Sequence, residues 1–234
     1  MPRERTSRDR SGVIPLEHLD TARIPGADGE LRLMRRGQDY MILFGRNELM
    51  SSRLRGSEEA LATLPAEKIE GRTRPRILIG GLGMGFTLRK ALDILPAKAE
   101  IVVVELVPTI VDWARGPLAH LFGTCLDDPR VTILLGDVGE EIANGGGGYD
   151  AILLDVDNGP DALIHPDNDR LYGKYGLRAA QSALTPGGVL AIWSAYQDKA
   201  FAERLKRAGF AVDEIRVRAT GLKGAHHVIW LAVK

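Results

Sequence analysis

The chain is short of the features that mark secreted, membrane and nucleic-acid-binding proteins. Cys125 is the single cysteine among 234 residues, so no disulfide can form within the chain and a reducing compartment is expected. No run approaches the ~18 apolar residues of a membrane helix, and the first residues lack the apolar core of a signal peptide. Lysine and arginine total 31, as do aspartate and glutamate, which leaves no net charge to attract nucleic acid or a membrane. These absences predict a cytoplasmic protein.

Three regions differ in composition. Residues 1–12 are basic and polar, and we predict a disordered tail there, with a nucleic-acid-binding arm as the less favoured alternative. Residues 13–70 are predicted to form a small β-rich segment, with strands at Leu31–Met34 and Tyr40–Phe44. A short helix follows, with Ser57 as its N-cap and Pro65 marking its end. Residues 71–234 are predicted to form the cofactor-binding domain.

A glycine cluster dominates the centre of the chain, although the GxxxxGK[ST] pattern of a nucleotide triphosphate site is absent. An apolar run ends at Gly80, and Gly81, Gly83 and Gly85 then open a helical pattern. Glycine lets the backbone turn tightly and approach a bulky ligand, while the N–H groups at the helix start face that ligand. Glu105 follows 20 residues after Gly85, at the end of a second apolar run, where a carboxylate can accept ribose hydroxyls. The pattern predicts a nucleoside-cofactor site.

From Arg76 onward, apolar strands alternate with helical segments. Apolar strands without alternation are typical of a parallel sheet that is covered on both faces. The sequence therefore predicts a doubly wound, Rossmann-like α/β sheet of seven strands, mostly parallel, with an antiparallel C-terminal strand pair. The predicted segments are strands at 77–79, 100–106, 131–135, 151–154, 189–193, 210–218 and 226–233, and helices at 86–95, 108–121, 138–143, 171–184 and 199–208.

Two more carboxylates follow predicted strands, and ligands of such sheets bind beyond the strands' carboxyl ends. Asp137 follows the third strand, where it or the backbone beside it can meet an adenine edge. We also assign Gly80, Asp155 and the neighbours of Glu105 and Asp137, which are Leu106 and Val138, to the cofactor site. Asp155 follows the fourth strand and faces the space between cofactor and substrate, where it can act as a base or bind an ammonium group.

The loop after the fourth strand holds five carboxylates in fifteen residues, from Asp155 to Asp169. Such a loop can hold a cationic amine, bind a divalent metal through oxygen ligands, or be a solvated acidic surface. No glutamate stands where an EF-hand requires one, so no metal is predicted. We expect Asp155 and Asp157 to be catalytic, and expect the substrate to contact Asp157, Asn158, Asp161, His165 and Tyr172. Tyr172, Trp193 and Tyr196 are also candidates for an apolar wall, with core packing as the default.

Residues 31–234 resemble the spermidine synthase-like branch of the class I S-adenosylmethionine-dependent transferases. The small β segment before the glycine loop also resembles that family. The motifs that carry the resemblance are Ile77-Leu-Ile-Gly-Gly81, Thr87-Leu-Arg89, Val103-Val-Glu105, Asp128-Pro-Arg-Val131, Gly136-Asp137, Tyr149-Asp-Ala-Ile-Leu-Leu-Asp155 and Leu184-Thr-Pro-Gly-Gly-Val-Leu190.

The resemblance implies roles for the matching residues. The glycine loop would hold the amino-acid part of the cofactor, Glu105 its ribose and Asp137 its adenine, and Asp155 would assist deprotonation of the attacking amine. The chain also departs from the polyamine synthases. Polyamine synthases have an aspartate inside the glycine loop, and this chain has none. Their tyrosine-histidine-glutamate segment before the core is replaced here by Glu58-Glu-Ala-Leu-Ala62. Their D-x-x-D pair after the fourth strand becomes Asp155-Val-Asp-Asn158.

The favoured hypothesis is an S-adenosylmethionine-dependent methyltransferase that acts on a small-molecule acceptor, for which the acidic loop suggests a cationic amine. The main alternative is a divergent aminopropyltransferase that uses decarboxylated S-adenosylmethionine. A non-catalytic nucleoside-binding protein and, from the glycine loop alone, an NAD-dependent dehydrogenase are further alternatives. The sequence predicts neither a membrane nor a nucleic-acid partner and leaves a homodimer open.

Overall fold

A computed structural model of the chain describes residues 14–26, 28–144, 146–155, 171–220 and 223–234. These residues form a four-stranded antiparallel sheet, followed by a seven-stranded sheet flanked by helices. The predicted basic tail lies outside the described residues, as does the acidic loop after Asp155, with Asp157, Asn158, Asp161 and His165. Within the described ranges, no helix combines the length and the apolar character needed to cross a membrane.

The N-terminal sheet is a meander of four strands, of which the sequence predicted only the middle two. Its inner face is apolar and includes the buried side chains of Leu33 and Ile42. The outer strands were missed because most of their residues are polar or only partly buried, so their apolar pattern is weak. The strands are β1 (Glu17–Arg23), β2 (Glu30–Arg36), β3 (Asp39–Phe44) and β4 (Asn47–Ser51).

Helix α1 (Gly56–Lys68) corrects two details of the prediction. The N-cap is Arg55, whereas Ser57 lies inside the first turn. Pro65 does not end the helix but lies within it, although proline lacks the N–H that would bond four residues back. Leu61 and Pro65 are buried, so packing of this face holds the helix together despite the lost hydrogen bond.

The large sheet confirms the predicted seven strands. Its order is β10-β11-β9-β8-β5-β6-β7, in which β5 to β9 are parallel and β11 pairs antiparallel with both β9 and β10. Strand β8 is buried along its whole length, as expected for a strand covered on both faces. The strands are β5 (Arg76–Gly80), β6 (Glu100–Glu105), β7 (Val131–Leu135), β8 (Tyr149–Leu154), β9 (Leu184–Ser194), β10 (Ala211–Thr220) and β11 (Lys223–Val233).

The helices after β5 follow the predicted positions with one break. The helix predicted at 108–121 is two helices, separated at Gly116 and Pro117, because a proline disfavours helical backbone in the residue before it. Strand β9 also begins five residues before the predicted start and runs through Pro186 and two glycines. The helices are α2 (Phe86–Ile94), α3 (Pro108–Arg115), α4 (Ala119–Phe122), α5 (Val138–Asn144), α6 (Lys174–Ala183) and α7 (Lys199–Arg207).

Two hydrophobic clusters cover the two faces of the large sheet. One joins it to α1, α2, α3 and the N-terminal sheet, and the other joins it to α5, α6 and α7. The indole Nε1 of Trp113 on α3 donates to Asp20 Oδ2 on β1 at 2.7 Å, which ties the small sheet to the larger unit. The N-terminal sheet is thus fixed against the same face as α1.

A buried carboxylate joins three strands at their amino ends. Asp150 on β8 accepts a hydrogen bond from the backbone N–H of Arg76 on β5 at 2.8 Å and from Thr185 Oγ1 on β9 at 2.9 Å. The guanidinium of Arg72 forms an ion pair with the same carboxylate and donates to Thr185 Oγ1 at 2.7 Å. Asp150 therefore fixes the register of the sheet centre.

Replacing this carboxylate should destabilise the fold. Asp150→Asn places an amide donor against existing donors, and we expect the free energy of unfolding to fall by about 2 kcal/mol in urea denaturation. Asp213→Asn is the control, because Asp213 forms an exposed ion pair with Lys68 and should cost less than ~0.5 kcal/mol. Equal losses in the two variants would contradict the assigned role of Asp150.

Candidate functional site

The candidate site lies at the carboxyl ends of the parallel strands. Strands β6 and β8 lie on opposite sides of β5, so the connections after β5 and β8 diverge at this point of the sheet. Ligands of doubly wound sheets bind in such a crevice. The glycine loop after β5 and Asp155 after β8 both lie there, and the backbone N–H of Asp155 bonds to the carbonyl of Gly80 at 3.2 Å.

Two glycines of the loop are required by its close contacts. Gly83 has φ +50°, and a Cβ there would lie 2.9 Å from Met50 Sδ on β4. Gly85 has φ +78°, and a Cβ there would lie 2.3 Å from Phe122 Cε1 on α4. Both positions have left-handed backbone, which disfavours any side chain, and at Gly85 a Cβ would also collide with the buried Phe122 ring. The loop is therefore packed between the N-terminal sheet and α4.

Glu105 is buried directly beneath the glycine loop. Its Oε2 accepts the backbone N–H of Leu82 at 2.8 Å, and its Oε1 accepts that of Val107 at 2.9 Å. Burial raises the pKa of this carboxyl, and the backbone hydrogen bonds oppose that rise because they favour the charged form. Backbone hydrogen bonds from Gly83 and Leu106 also favour the charged form, so the protein backbone itself uses much of the acceptor capacity of this carboxylate. Its role in ribose binding stays a prediction.

The other predicted cofactor residues surround this loop. Asp137 is exposed after β7, and its Oδ1 accepts the N–H of Gly139 at 2.6 Å, at the start of α5. Val138 is buried and packs close to Gly80, where an added Cβ would lie 3.0 Å from Val138 Cγ2. Leu106 is half-buried after β6. Asp137 thus has a structural role as a helix cap, while its contact with adenine stays a prediction.

Asp155 shares a pocket with a residue that the sequence did not select, Glu58. We use the name loop pocket for the space lined by both carboxylates, Met50 and residues 81–87. Glu58 lies in the first turn of α1, which Thr87 anchors by donating from its Oγ1 to the carbonyl of Glu58 at 3.3 Å. The structure therefore places the Glu58 side chain, which comes from the N-terminal part of the chain, beside the glycine loop.

The two carboxyl groups interact electrostatically. Burial, followed by the negative charge of Asp155, raises the pKa of Glu58 above its ordinary value, and burial raises the pKa of Asp155. Two neighbouring carboxylates cannot both ionise without cost, and an approaching cation removes that cost. The pair is therefore suited to receive an ammonium group and to accept one of its protons.

A larger cavity of about 440 Å³ adjoins the loop pocket. We call it the β4–β11 cavity, because its walls come from β4, the start of α1, the end of β9 and His227 on β11. Glu58 and Met50 line both spaces, so the two share a wall. Trp193 and Tyr196, two of the candidate apolar-wall residues, also line the cavity.

The remaining predicted substrate residues are not brought to this site by the described part of the chain. Tyr172 is buried in the core, with its ring 5.6 Å from that of Phe201, and lines neither the loop pocket nor the β4–β11 cavity. Asp157, Asn158, Asp161 and His165 fall outside the described residues. In those described ranges, no group of three or more histidine, cysteine, aspartate or glutamate side chains could hold a metal ion.

Sequence reasoning missed Glu58, Met50 and His227. They come from α1, β4 and β11. Strand β11 is far in sequence from β4 and α1, so these side chains meet only after the N-terminal sheet has packed against the larger unit. One signal was present, since Glu58 occupies the segment that departs from the polyamine synthases. Met50 and His227 carried no comparable signal.

A hollow of about 770 Å³ lies at the opposite edge of the sheet, between the amino ends of β5, β6 and β7. Its lining includes Arg74, Arg76 and Arg130. Arg130 is paired with Asp128, and Arg76 donates to the carbonyl of Gly147 and stacks on Tyr149. Arg74 forms an exposed ion pair with Glu100, so all three arginines already have partners. This edge is also not the one at which such sheets bind ligands.

Comparison with solved structures supports the same fold. Spermidine synthase from Thermotoga maritima superposes with a TM-score of 0.73 at 16% identity, covering 93% of this chain and 72% of that one. A spermidine synthase in complex with the transition-state analogue AdoDATO gives a TM-score of 0.72 at 17% identity, with the same coverage. At this level of identity, the likeness shows the architecture alone.

Curated relatives match over the centre of the chain. Putrescine N-methyltransferase 4 of Nicotiana tabacum is 37% identical over 116 residues, which are 49% of this chain and 28% of that protein. A polyamine aminopropyltransferase of Aeropyrum pernix is 29% identical over 150 residues, 64% of this chain and 46% of that protein. The chain therefore aligns with less than half the length of these relatives.

The family model that matches this chain covers most of the residues that build the site. It is the spermine/spermidine synthase domain, and its match extends over residues 55–206, from the N-cap of α1 into the last turn of α7. That range contains Glu58, the glycine loop, Glu105 and Asp155, and it excludes β1 to β4 and the strand pair β10–β11. With well over half of its residues matched, the chain belongs to the spermine/spermidine synthase domain family.

Proposed function

We propose that the protein transfers a methyl group from S-adenosylmethionine to an amine. The observation that carries the proposal is the pair of carboxyl groups, Glu58 and Asp155, beside the glycine loop. The relatives named putrescine N-methyltransferase support methyl transfer, and those named polyamine aminopropyltransferase support the same class of acceptor.

The residues around the loop fit an adenosyl-sulfonium cofactor. The N–H groups in the first turn of α2, which have no acceptor within the helix, would bind the cofactor's carboxylate. Glu105 at the end of β6 would hold the ribose, and Asp137 with Val138 and Leu106 would hold the adenine. The bound cofactor would supply an electrophilic methyl carbon on a positively charged sulfur. The loop pocket carries two acids that favour this positive charge.

The loop itself supports the intact cofactor over its decarboxylated form. Leu82 and Met84 are buried and apolar, so no loop carboxylate opposes the carboxylate of S-adenosylmethionine. The positive end of the α2 dipole would favour that group. The glycine loop therefore favours methyl transfer over aminopropyl transfer.

The acceptor would enter through the β4–β11 cavity and meet the carboxyl pair. An amine arrives as an ammonium ion and must lose one proton before its lone pair can attack. Asp155, at the end of a central strand, would accept that proton, and Glu58 would hold the nitrogen in line with the methyl carbon. The raised pKa values of both groups bring proton acceptance closer to neutral pH.

Cofactor preference provides the first test. Isothermal titration should show S-adenosylmethionine binding about tenfold more tightly than its decarboxylated form, as expected for a carboxylate at a helix N-terminus. Met84→Asp should remove or reverse that preference by adding a negative charge to the loop. Met84→Asn is the uncharged control of matched shape and should retain it. A preference of the wild-type protein for the decarboxylated cofactor would overturn methyl transfer.

Aminopropyl transfer is the second candidate, favoured by the 150-residue alignment with the Aeropyrum pernix enzyme. Mass spectrometry after incubation with putrescine and each cofactor separates the two reactions. N-methylputrescine supports the first proposal and spermidine the second. Failure to form either product would count against putrescine as the acceptor in both.

The carboxyl pair should also make stability depend on pH. A carboxyl group whose pKa is raised by folding does not affect the free energy of unfolding below its ordinary pKa, because it is protonated in both the folded and the unfolded state. It lowers the free energy of unfolding as the pH rises through the raised pKa. Glu58→Gln should therefore raise the melting temperature by about 2–4 °C at mildly alkaline pH, and by less at acid pH. Glu67→Gln, an exposed change on the same helix, should leave the pH dependence unchanged. Destabilisation of Glu58→Gln at alkaline pH would contradict the repulsion.

A further inference from the structure

His227 links the C-terminal strand pair to the carboxyl pair. It lies on β11, half-buried, with its ring 4.7 Å from that of Trp193 in an edge-on arrangement. Its Nδ1 lies 2.9 Å from Ser57 Oγ, and Ser57 is buried in the first turn of α1. A single hydrogen bond therefore joins residues 170 positions apart in sequence.

The hydrogen bond continues toward Glu58. Ser57 Oγ donates to Glu58 Oε2 at 3.4 Å. Because the hydroxyl has one proton, donation to Glu58 requires that His227 donate to Ser57 from Nδ1. A neutral imidazole in this tautomer has an unprotonated Nε2. Burial, followed by the charge of His226, lowers the pKa of His227 and so favours this neutral form.

These three side chains line one wall of the β4–β11 cavity. The charged side chains of Arg46 and Glu48 also line this cavity, and both residues are exposed. His226, the neighbour of His227 on β11, is exposed and does not line the cavity. The hydrogen bonds from His227 through Ser57 thus lead to Glu58, whose carboxylate also lines the loop pocket.

We propose that His227 is a positioning residue of the acceptor site, which acts through Ser57 to fix the orientation of the Glu58 carboxylate toward the amine. The inference rests on the proposed amine transfer and goes beyond it, because His227 lies outside the part of the chain that matches the family model. The Trp193 ring packs against the imidazole and fixes its orientation. The Ser57 hydroxyl bonds to that imidazole and in turn orients the Glu58 carboxylate. Without His227, the Ser57 hydroxyl would be free to turn away from Glu58.

Kinetics with S-adenosylmethionine and putrescine as the probe amine tests the catalytic part of this proposal. His227→Phe retains an aromatic ring against Trp193 but removes the donor, and kcat should fall about tenfold with the cofactor Kd unchanged. His227→Asn retains an N–H near the Nδ1 position and should recover part of that loss. His226→Phe is the matched control on the same strand and should behave as wild type. Equal kcat in His227→Phe and wild type would overturn the proposal.

Nitrogen NMR of the imidazoles tests the hydrogen-bonded chain without requiring turnover. The His227 signals, assigned among the five histidines by their loss in His227→Phe, should show the tautomer protonated at Nδ1. Ser57→Ala should reduce the population of that tautomer. An Nε2-protonated His227 in the wild-type protein would overturn the inference. Absence of product from wild type combined with the expected tautomer would instead count against putrescine transfer, so the two failures are distinguishable.

Discussion

The site depends on one buried carboxylate, that of Glu105. Its two oxygens bond to the backbone of the glycine loop at Leu82 and to the start of the next connection at Val107. A charged acceptor in a buried position forms stronger hydrogen bonds than a neutral one, and removing it would leave backbone donors unsatisfied. The loop, the start of α2 and the end of β6 are therefore held in one arrangement, around which the other site elements pack.

The N-terminal sheet and α1 supply the part of the candidate site that the large sheet does not. Met50 fills the space against Gly83, where a side chain on the loop would collide with it. Helix α1 then places Glu58 beside Asp155, and the Thr87 hydroxyl ties the starts of α1 and α2 together. Two carboxyl groups are thus held near each other although their charges repel. The packing energy of the small sheet and α1 offsets that repulsion.

The large sheet was predictable from sequence, whereas half of the carboxyl pair was not. Buried parallel strands such as β5 and β8 are uniformly apolar, and their ends are marked by Gly80 and Asp155, so local pattern suffices. Strands β1 and β4 are largely polar and depend on packing for their existence. Glu58 was not recognised because its role arises from contact with a loop more than twenty residues away. Pro65 was predicted to end α1 but lies within it, because tertiary packing outweighs the loss of one helical hydrogen bond.

The charge arrangement supports the proposed binding of a cationic acceptor. A site built for a neutral acceptor would gain nothing from a second half-buried carboxyl group, whose repulsion costs stability. Under the proposed function, the positive charges of a sulfonium and an ammonium group would offset that cost in the bound complex. In the proposed reaction, methyl transfer would remove the sulfonium charge, and the proton lost by the ammonium group would neutralise one carboxylate. In the unliganded protein, the raised pKa values let protonation relieve the repulsion. Under the proposed function, the ionised pair would stabilise the state in which both reactants are bound.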